Sequence, residues 1–391
     1  MTLGTIRFVH TADWQIGKSY ASVEEAHNRA LLQQERVEVI RRIGALARQH
    51  EASFVLVAGD LFDSPTPTKS VVSAACAAIG SIELPVLAIP GNHDHAGPGS
   101  VWEQEFFERE RASLAPNFRI LRTPEPVEVG DAVLFPCPLL RRSESVDTTA
   151  WLRDGGAFEG AGNKVRIVLA HGSTQGFESS GDDDEFSETS NRIDLARLDQ
   201  AAFDYIALGD WHGTKQVAAK AWYSGTPEID RFPKGDLNDP GNVLLVTAGR
   251  ERPCVVENLR TARFGWHRLQ RCLMEDEAVE RLREEIDALL ENRAQQDLLR
   301  LELSGALGFH ATTKLEDLLE SLHARLLRLR LSNSTVLAPS EAELQALTGR
   351  VSDPLVARVA QQLSTLAAGE GESARVAQVA LRELHAACRS R

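Results

Sequence analysis

Phe54-Val55-Leu56-Val57-Ala58-Gly59-Asp60-Leu61-Phe62-Asp63 opens as an apolar, β-branched run and breaks at a Gly-Asp pair. The run has the composition of a strand, and the break places a carboxylate at its end. The same grammar recurs four times. Arg7 to His10 leads into Asp13-Trp14-Gln15, Val86 to Pro90 into Gly91-Asn92-His93-Asp94, Arg166 to Ala170 into His171-Gly172, and Tyr205-Ile206-Ala207-Leu208 into Gly209-Asp210-Trp211-His212. In α/β folds ligands bind in the crevice outside the carboxyl ends of the strands, so five segments far apart in the chain are expected to converge on one pocket.

Working outward, residues 1 to about 262 alternate short strands with helical patterns, as a layered α/β domain does. A helix is expected near 22 to 49, where Ser22 and Glu25 suggest a capping box and Leu32, Val39, Ile43 and Leu46 recur at helical spacing. Another is expected from Pro67 to Ile79. Strands are expected at Ala132 to Phe135, Val165 to Ala170, Tyr205 to Leu208, Asn242 to Val246 and Cys254 to Asn258. Phe177 to Asn191, with Asp182, Asp183, Asp184 and Glu185 among serines, reads as a solvated loop; it lacks the alternating ligands of a calcium loop. From 263 to 338 the pattern is a small α/β unit, with strands at Trp266 to Leu269 and around Leu299, Leu301 and Leu303, and helices near 276 to 292 and 313 to 328. Residues 339 to 391 read as helical, with Leu355, Val359, Leu363 and Leu366 on one stripe and Val376, Val379, Ala380 and Leu384 on another, separated by Gly369 and Gly371.

Composition narrows the function. The 391 residues exceed one ordinary core, and no stretch approaches the roughly 20 apolar residues of a membrane span. The first residues, Met1-Thr2-Leu3-Gly4, do not read as a signal peptide, so a cytoplasmic protein is expected. Five widely spaced cysteines point to reduced thiols rather than a disulfide frame. A net charge of −13 excludes indiscriminate coating of nucleic acid, yet it suits divalent cations held by clustered carboxylates.

The five strand-end clusters have the chemistry of a two-metal site. Two divalent cations about 3.5 to 4 Å apart can hold both oxygens of an in-line phosphoryl displacement, and they need a shared carboxylate. Asp60, beside a glycine that lets the backbone turn sharply, is the expected bridge; Asp13 would serve one cation, Asn92 and His171 the other. This nitrogen and oxygen shell suits manganese, iron or zinc better than calcium. His93 is placed to face the phosphate and protonate the leaving oxygen, Asp94 to orient its ring, and Asp63 to tie the loop. Singly, each residue has an ordinary explanation as a turn or a buried polar group. Together, in order and each at a strand end, they point to chemistry.

These residues resemble the calcineurin-like metallophosphoesterases, whose pattern is Asp-x-His, Gly-Asp-x-x-Asp, Gly-Asn-His-Asp, Gly-His and Gly-His-x-His. His10-Thr11-Ala12-Asp13, Ile89 to Asp94 and Tyr223-Ser224-Gly225-Thr226-Pro227-Glu228 extend the resemblance to the branch of SbcD-type nuclease subunits. It implies a layered α/β fold: a metallophosphoesterase β-sandwich flanked by helices (1 to 262), a small α/β capping domain (263 to 338) and a helical partner-binding segment (339 to 391). It also implies a DNA exonuclease and endonuclease active in end processing or repair. Two divalent ions are implied, Mn2+ first and Mg2+ next, together with an SbcC-like SMC-type coiled-coil ATPase as partner; a homodimer is compatible. By position the resemblance puts Asp13, Gln15, Asp60 and His212 around the first metal, and Asp60, Asn92, His171 and Asp210 around the second. Gln15 and Asp210 each stand where the family has histidine. A neutral amide oxygen is a weaker ligand than imidazole and a carboxylate a harder one, so a weakly held first metal and a preference for manganese or magnesium over zinc are expected.

For DNA, Arg141-Arg142 and the pair Arg250 and Arg252 are the candidate phosphate contacts, weighed against ordinary surface charge. Arg325, Arg328 and Arg330 are better read as compensating a helix dipole. Trp14 and Trp211 are expected in the core rather than stacked on a base. Two alternatives stand beside the nuclease: a phosphodiesterase for a small substrate, and a catalytically weakened DNA-end-binding scaffold.

Overall fold

In the N-terminal part of the chain the apolar runs form strands that assemble into two sheets, each with apolar layers on both faces. The computed structural model describes residues 4–153, 155–158, 161–175, 190–233, 238–250, 252–274, 277–291, 293, 295–338 and 340–389. Most of the acidic loop expected at 177 to 191 lies outside the described residues. The chain divides into two units, Met1–Phe264 and Gly265–Arg391.

In the first unit β1 (Thr5–Thr11) is followed by α1 (Ala26–Gln49), β2 (Val55–Ala58), α2 (Lys69–Gly80), β3 (Val86–Ile89), α3 (Glu105–Leu114) and β4 (Phe118–Ile120). Next come β5 (Val127–Val129), β6 (Ala132–Cys137), β7 (Val165–His171), β8 (Tyr205–Gly209), β9 (Lys215–Ala218), β10 (Ala221–Tyr223), β11 (Asn242–Gly249) and β12 (Val255–Arg260). One sheet has the order β12-β11-β1-β2-β3-β4 and the other β5-β6-β7-β8-β10-β9. The strands that carry the motifs run parallel to their neighbours, β1 beside β2, β2 beside β3 and β7 beside β8. Their carboxyl ends therefore open on the same edge of each sheet.

Alternation along the strands builds three apolar layers. Phe8, Leu56, Ala58, Ile89, Leu134, Ile167, Leu169 and Tyr205 fill the space between the sheets. Val9, Val55 and Val57 point the other way, against Val39, Ile43, Val72 and Ile79 of α1 and α2. Phe135, Val168, Ile206 and Leu208 pack on the far side of the second sheet. This is the expected helix-flanked layering, and wholly buried strands are what parallel sheets require.

Two helix starts differ from the sequence reading. α1 begins at Ala26 after Glu25, whose side chain makes no capping hydrogen bond, so the expected Ser22–Glu25 capping box does not form. α2 begins at Lys69, with the Thr68 hydroxyl accepting the Val71 N–H; Pro67 precedes the cap instead of opening the helix.

The second unit contains β13 (Gly265–Leu273), α4 (Ala278–Leu290), β14 (Asp297–Leu307), α5 (Phe309–Arg325), β15 (Arg328–Leu337), α6 (Glu341–Thr348), α7 (Pro354–Ala367) and α8 (Glu372–Arg389). β13, β14 and β15 form a parallel sheet, with Leu282, Ile286, Leu301, Leu315 and Leu318 among its buried cluster. Arg328 and Arg330 lie on β15 rather than at a helix end; only Arg325 closes α5, where it pairs with Asp287 at 3.0 Å. The helical tail has three helices where two stripes were read. Ala360, Leu363, Leu381 and Leu384 pack inward with Phe309 and Leu347, while Leu355, Val359, Leu366, Val376 and Val379 are exposed. Among the described residues no helix is long and apolar enough to cross a membrane.

Candidate metal centre

Backbone strain marks the place where the strands end. Asp13, Gln15, Asp60 and Asp210 have φ of 53°, 44°, 54° and 102°, in the left-handed region that side chains avoid. The strained residues brace one another: the Asp13 N–H donates to the Gly59 carbonyl at 3.1 Å, and the Gln15 N–H to the Asp60 carbonyl at 2.9 Å. Two glycines make room. A Cβ at Gly59, itself at φ +89°, would lie 2.2 Å from His171 Nδ1, and one at Gly91 would lie 2.1 Å from Asp60 Oδ1.

In the space so made, ligand atoms of Asp13, Asp60 and His171 lie within 4.8 Å of one another, all buried. The Ala58 carbonyl, 2.7 Å from His171 Nδ1, only accepts, so Nδ1 carries the hydrogen and Nε2 faces the carboxylates. That Nε2 is 2.9 Å from Asn92 Oδ1, 3.6 Å from Asp60 Oδ1 and 3.8 Å from Asp210 Oδ1. The Asp210 N–H donates to both Asp13 oxygens, at 3.2 and 3.3 Å. Asp13, Asp60, Asn92, His171 and Asp210 thus meet.

The charges of the cluster favour a cation. Burial opposes a charged imidazole, yet Asp60, Asp13 and Asp210 together lift His171 up to about 9. Burial raises Asp13 well above the carboxylate range, whereas His171 and His93 hold Asp60 below it against the same burial. Three carboxylates around one imidazole draw in a proton because they need positive charge. Oxygen donors with one nitrogen fit a divalent cation of the manganese or magnesium kind better than a thiophilic one.

Gln15 and His212 occupy the other flank and contact each other. Gln15 Nε2 is 3.4 Å from His212 Nε2, and Gln15 Oε1 accepts from Lys18 Nζ at 2.8 Å. Asp230 lies 3.2 Å from His212 Nδ1, and burial keeps the ring neutral, pushed down to about 4.

His93 is a quarter exposed at the mouth. Its Nδ1 is 3.2 Å from the Asp63 carbonyl and its Nε2 4.0 Å from Asp60 Oδ2, and Asp60 raises its pKa against burial. The ring is therefore oriented by Asp63 and not, as the sequence suggested, by Asp94. The Asp94 carboxylate is spent on backbone, accepting the N–H groups of Leu61, Phe62 and Gly91 at 2.8, 3.1 and 2.7 Å. It ties two strand-end loops together, and burial pushes its carboxyl up to about 7.

Arg141 and Arg142 are exposed beyond β6, in a segment whose Leu139 N–H bonds the Pro90 carbonyl at 3.3 Å and whose Leu139 carbonyl accepts the Ala96 N–H at 2.9 Å. Arg250 pairs with Asp204 at 3.0 Å and serves the fold. Trp14 is buried in the helix-side core, and Trp211 packs on the outer face of the second sheet.

Lys18, Arg36, Thr226 and Asp230 escaped the sequence reading. Buried Arg36 donates to the Trp14 carbonyl and Thr226 Oγ1, each at 3.0 Å, and the Thr226 hydroxyl reaches the Asp13 carbonyl at 2.9 Å. Thr226 and Asp230 belong to or follow Tyr223 to Glu228, a stretch noted only as family resemblance. Lys18 had no signal beyond lying three residues past the unusual Gln15.

Two solved structures match the chain at low similarity. A dimetal phosphatase from Danio rerio is 10% identical, covering 65% of this chain and 98% of its own, with a TM-score of 0.37. GAP50, the anchor in the inner membrane complex of Plasmodium, is 13% identical, covering 66% and 89%, also at 0.37. The decisive comparison is with a family: residues 6–214, more than half the chain, match the calcineurin-like phosphoesterases, and the chain belongs to that family.

Proposed function

We propose that this protein is a metal-dependent DNA nuclease of the SbcD type, hydrolysing phosphodiesters during end processing or repair together with an SMC-type coiled-coil ATPase. The observation that carries the reaction class is the buried meeting of Asp13, Asp60 and His171 at strand ends, with His93 open beside Asp60. DNA as substrate is supported by the Tyr223 to Glu228 stretch, whose Thr226 hydroxyl holds the Asp13 backbone, and by exposed Arg141 and Arg142 beside the loop that carries Asn92 and His93.

Asp60, Asn92, His171 and Asp210, with Asp13, would hold a divalent cation, Mn2+ before Mg2+ because one of the donors is an imidazole nitrogen. When bound, such an ion supplies positive charge to the phosphoryl oxygens and acidifies the attacking water. The chain's residues do the rest. The Ala58 carbonyl fixes the His171 ring. The Asp63 carbonyl turns His93 Nε2 toward the mouth, where Asp60 favours its protonated form. As the water oxygen bonds to phosphorus it releases a proton to solvent, and as the bond to the leaving oxygen breaks His93 gives its own proton to that oxygen.

The test is cleavage of linear duplex, hairpin and single-stranded DNA with Mn2+, with EDTA as control. The natural chain should cut DNA, with His93→Ala slower by about 10²-fold or more and Asp60→Asn inactive. Hydrolysis of a chromogenic phosphodiester without DNA cleavage would instead assign a small substrate. End binding without any turnover would assign a scaffold.

A further inference from the structure

The two flanks of the centre carry opposite charge. On the His171 side are three carboxylates, Asp13, Asp60 and Asp210. On the His212 side cations prevail. Lys18 Nζ lies 2.8 Å from Gln15 Oε1, 3.2 Å from Asp230 Oδ2 and 3.8 Å from Asp63 Oδ1. Arg231 is 3.2 Å from Asp230 and 3.0 Å from His212 Nδ1, and the buried Arg36 guanidinium is 3.8 Å from Asp230. Lys18, Arg36 and Arg231 thus gather on Asp230, with Asp63 farther off.

The Gln15 amide decides what this flank can bind. An ammonium only donates, so the amide atom 2.8 Å from Lys18 must be the oxygen. The Gln15 oxygen that would stand in for a histidine ligand therefore already accepts from an ammonium, whose charge opposes a cation on the remaining lone pair. Its nitrogen, which has no lone pair for a metal, faces His212 Nε2 at 3.4 Å. The donor set expected for a first cation does not fit one. Lys18, at 23% side-chain exposure, instead presents a fixed positive charge that solvent and a phosphate oxygen can reach.

We propose that the Lys18 ammonium replaces the first divalent cation, leaving a centre that holds a single ion on the Asp60, Asn92, His171 and Asp210 side and meets the substrate phosphate with lysine on the other. This rests on the phosphoesterase reading for its substrate, but its central claim is a count. Gln15 and Lys18 are a matched pair: the glutamine gives up ligation and anchors the lysine.

The experiment uses the full chain and Mn2+ alone. Calorimetric titration and metal analysis after desalting should give about one Mn2+ per chain, with the six-line electron paramagnetic resonance of an isolated ion. The Gln15→His/Lys18→Ala double variant should bind about two, with the signal of a coupled pair. Lys18→Met should still bind about one but lose roughly tenfold in affinity for inorganic phosphate. Two equally tight ions in the natural chain would overturn the proposal, as would a folded double variant that still binds only one. If circular dichroism shows the double variant unfolded, the natural chain's count and the Lys18→Met phosphate affinity decide. One ion without cleavage of any phosphodiester would sink the enzymatic reading and spare this one; two ions with cleavage would do the reverse.

Discussion

His10 shows how a residue beside the centre is committed to one protonation state. Its Nε2 is 3.2 Å from the Leu208 carbonyl, which only accepts, so Nε2 carries the hydrogen and Nδ1 accepts a hydrogen bond from the Tyr205 hydroxyl at 2.9 Å. Burial pushes the ring from 6.5 down to about 3. Because the folded value is the lower one, the unfolded chain binds the proton first: stability is whole above pH 6.5 and declines as pH falls toward 3. Between pH 7 and pH 5 this residue alone should remove about 2 kcal/mol. Urea denaturation of the natural chain and His10→Gln at both pH values checks it; an unchanged pH dependence in the variant would rule it out. At this scale the sequence displayed the donors, since aspartate, asparagine and histidine at strand ends are visible in any reading. It did not display Thr226 on Asp13, because that pairing joins residues far apart in the chain, nor Lys18 on Gln15, which are three residues apart but lie in a turn with no regular spacing to mark them. Nor could it show that Asp94 turns its carboxylate to three amides rather than to its neighbour's ring.

Elements were legible where burial dictates them. β2, β3, β7 and β8 are short apolar runs bounded by glycine, proline or polar residues, and each ends close to where its run ends. Helix starts were not, because a cap depends on which polar side chain the turn aims at a backbone N–H; Thr68 makes that bond and Glu25 does not. β15 was missed because it follows α5 after only Leu326 and Leu327, so its arginines read as the helix's basic end. The element that positions the centre is the joint between the loops after β2 and β3, closed by Asp94. Asp94→Ala leaves three buried N–H groups without a partner, each costing about 1–3 kcal/mol, so several kcal/mol of stability should be lost. Asp94→Asn retains an acceptor and should lose less. Chemical denaturation of the pair checks the order; equal stability of the alanine variant and the natural chain would show that the joint is held otherwise.

On the scale of the whole molecule, each unit has a buried core of its own, the centre lying in Met1–Phe264 and the β13-β14-β15 sheet with its helices in Gly265–Arg391. A ligand stabilises only the unit that binds it. Differential scanning calorimetry should therefore show two transitions, with only one rising in Mn2+, by about 2.7 kcal/mol at a hundredfold excess over the dissociation constant. One transition that moves as a whole would show that the cores unfold together.

The order of strands in the first sheet has a consequence for synthesis. β1, which leads into Asp13, is paired on one side with β2 and on the other with β11, at Asn242–Gly249. The ribosome must release most of the first unit before that sheet closes, and pairings so distant in sequence come late in folding. A growing chain therefore carries its acidic strand ends without the walls that gather them. The strand that leads to Asp13 is in this way fixed in its sheet only after β11 has been made.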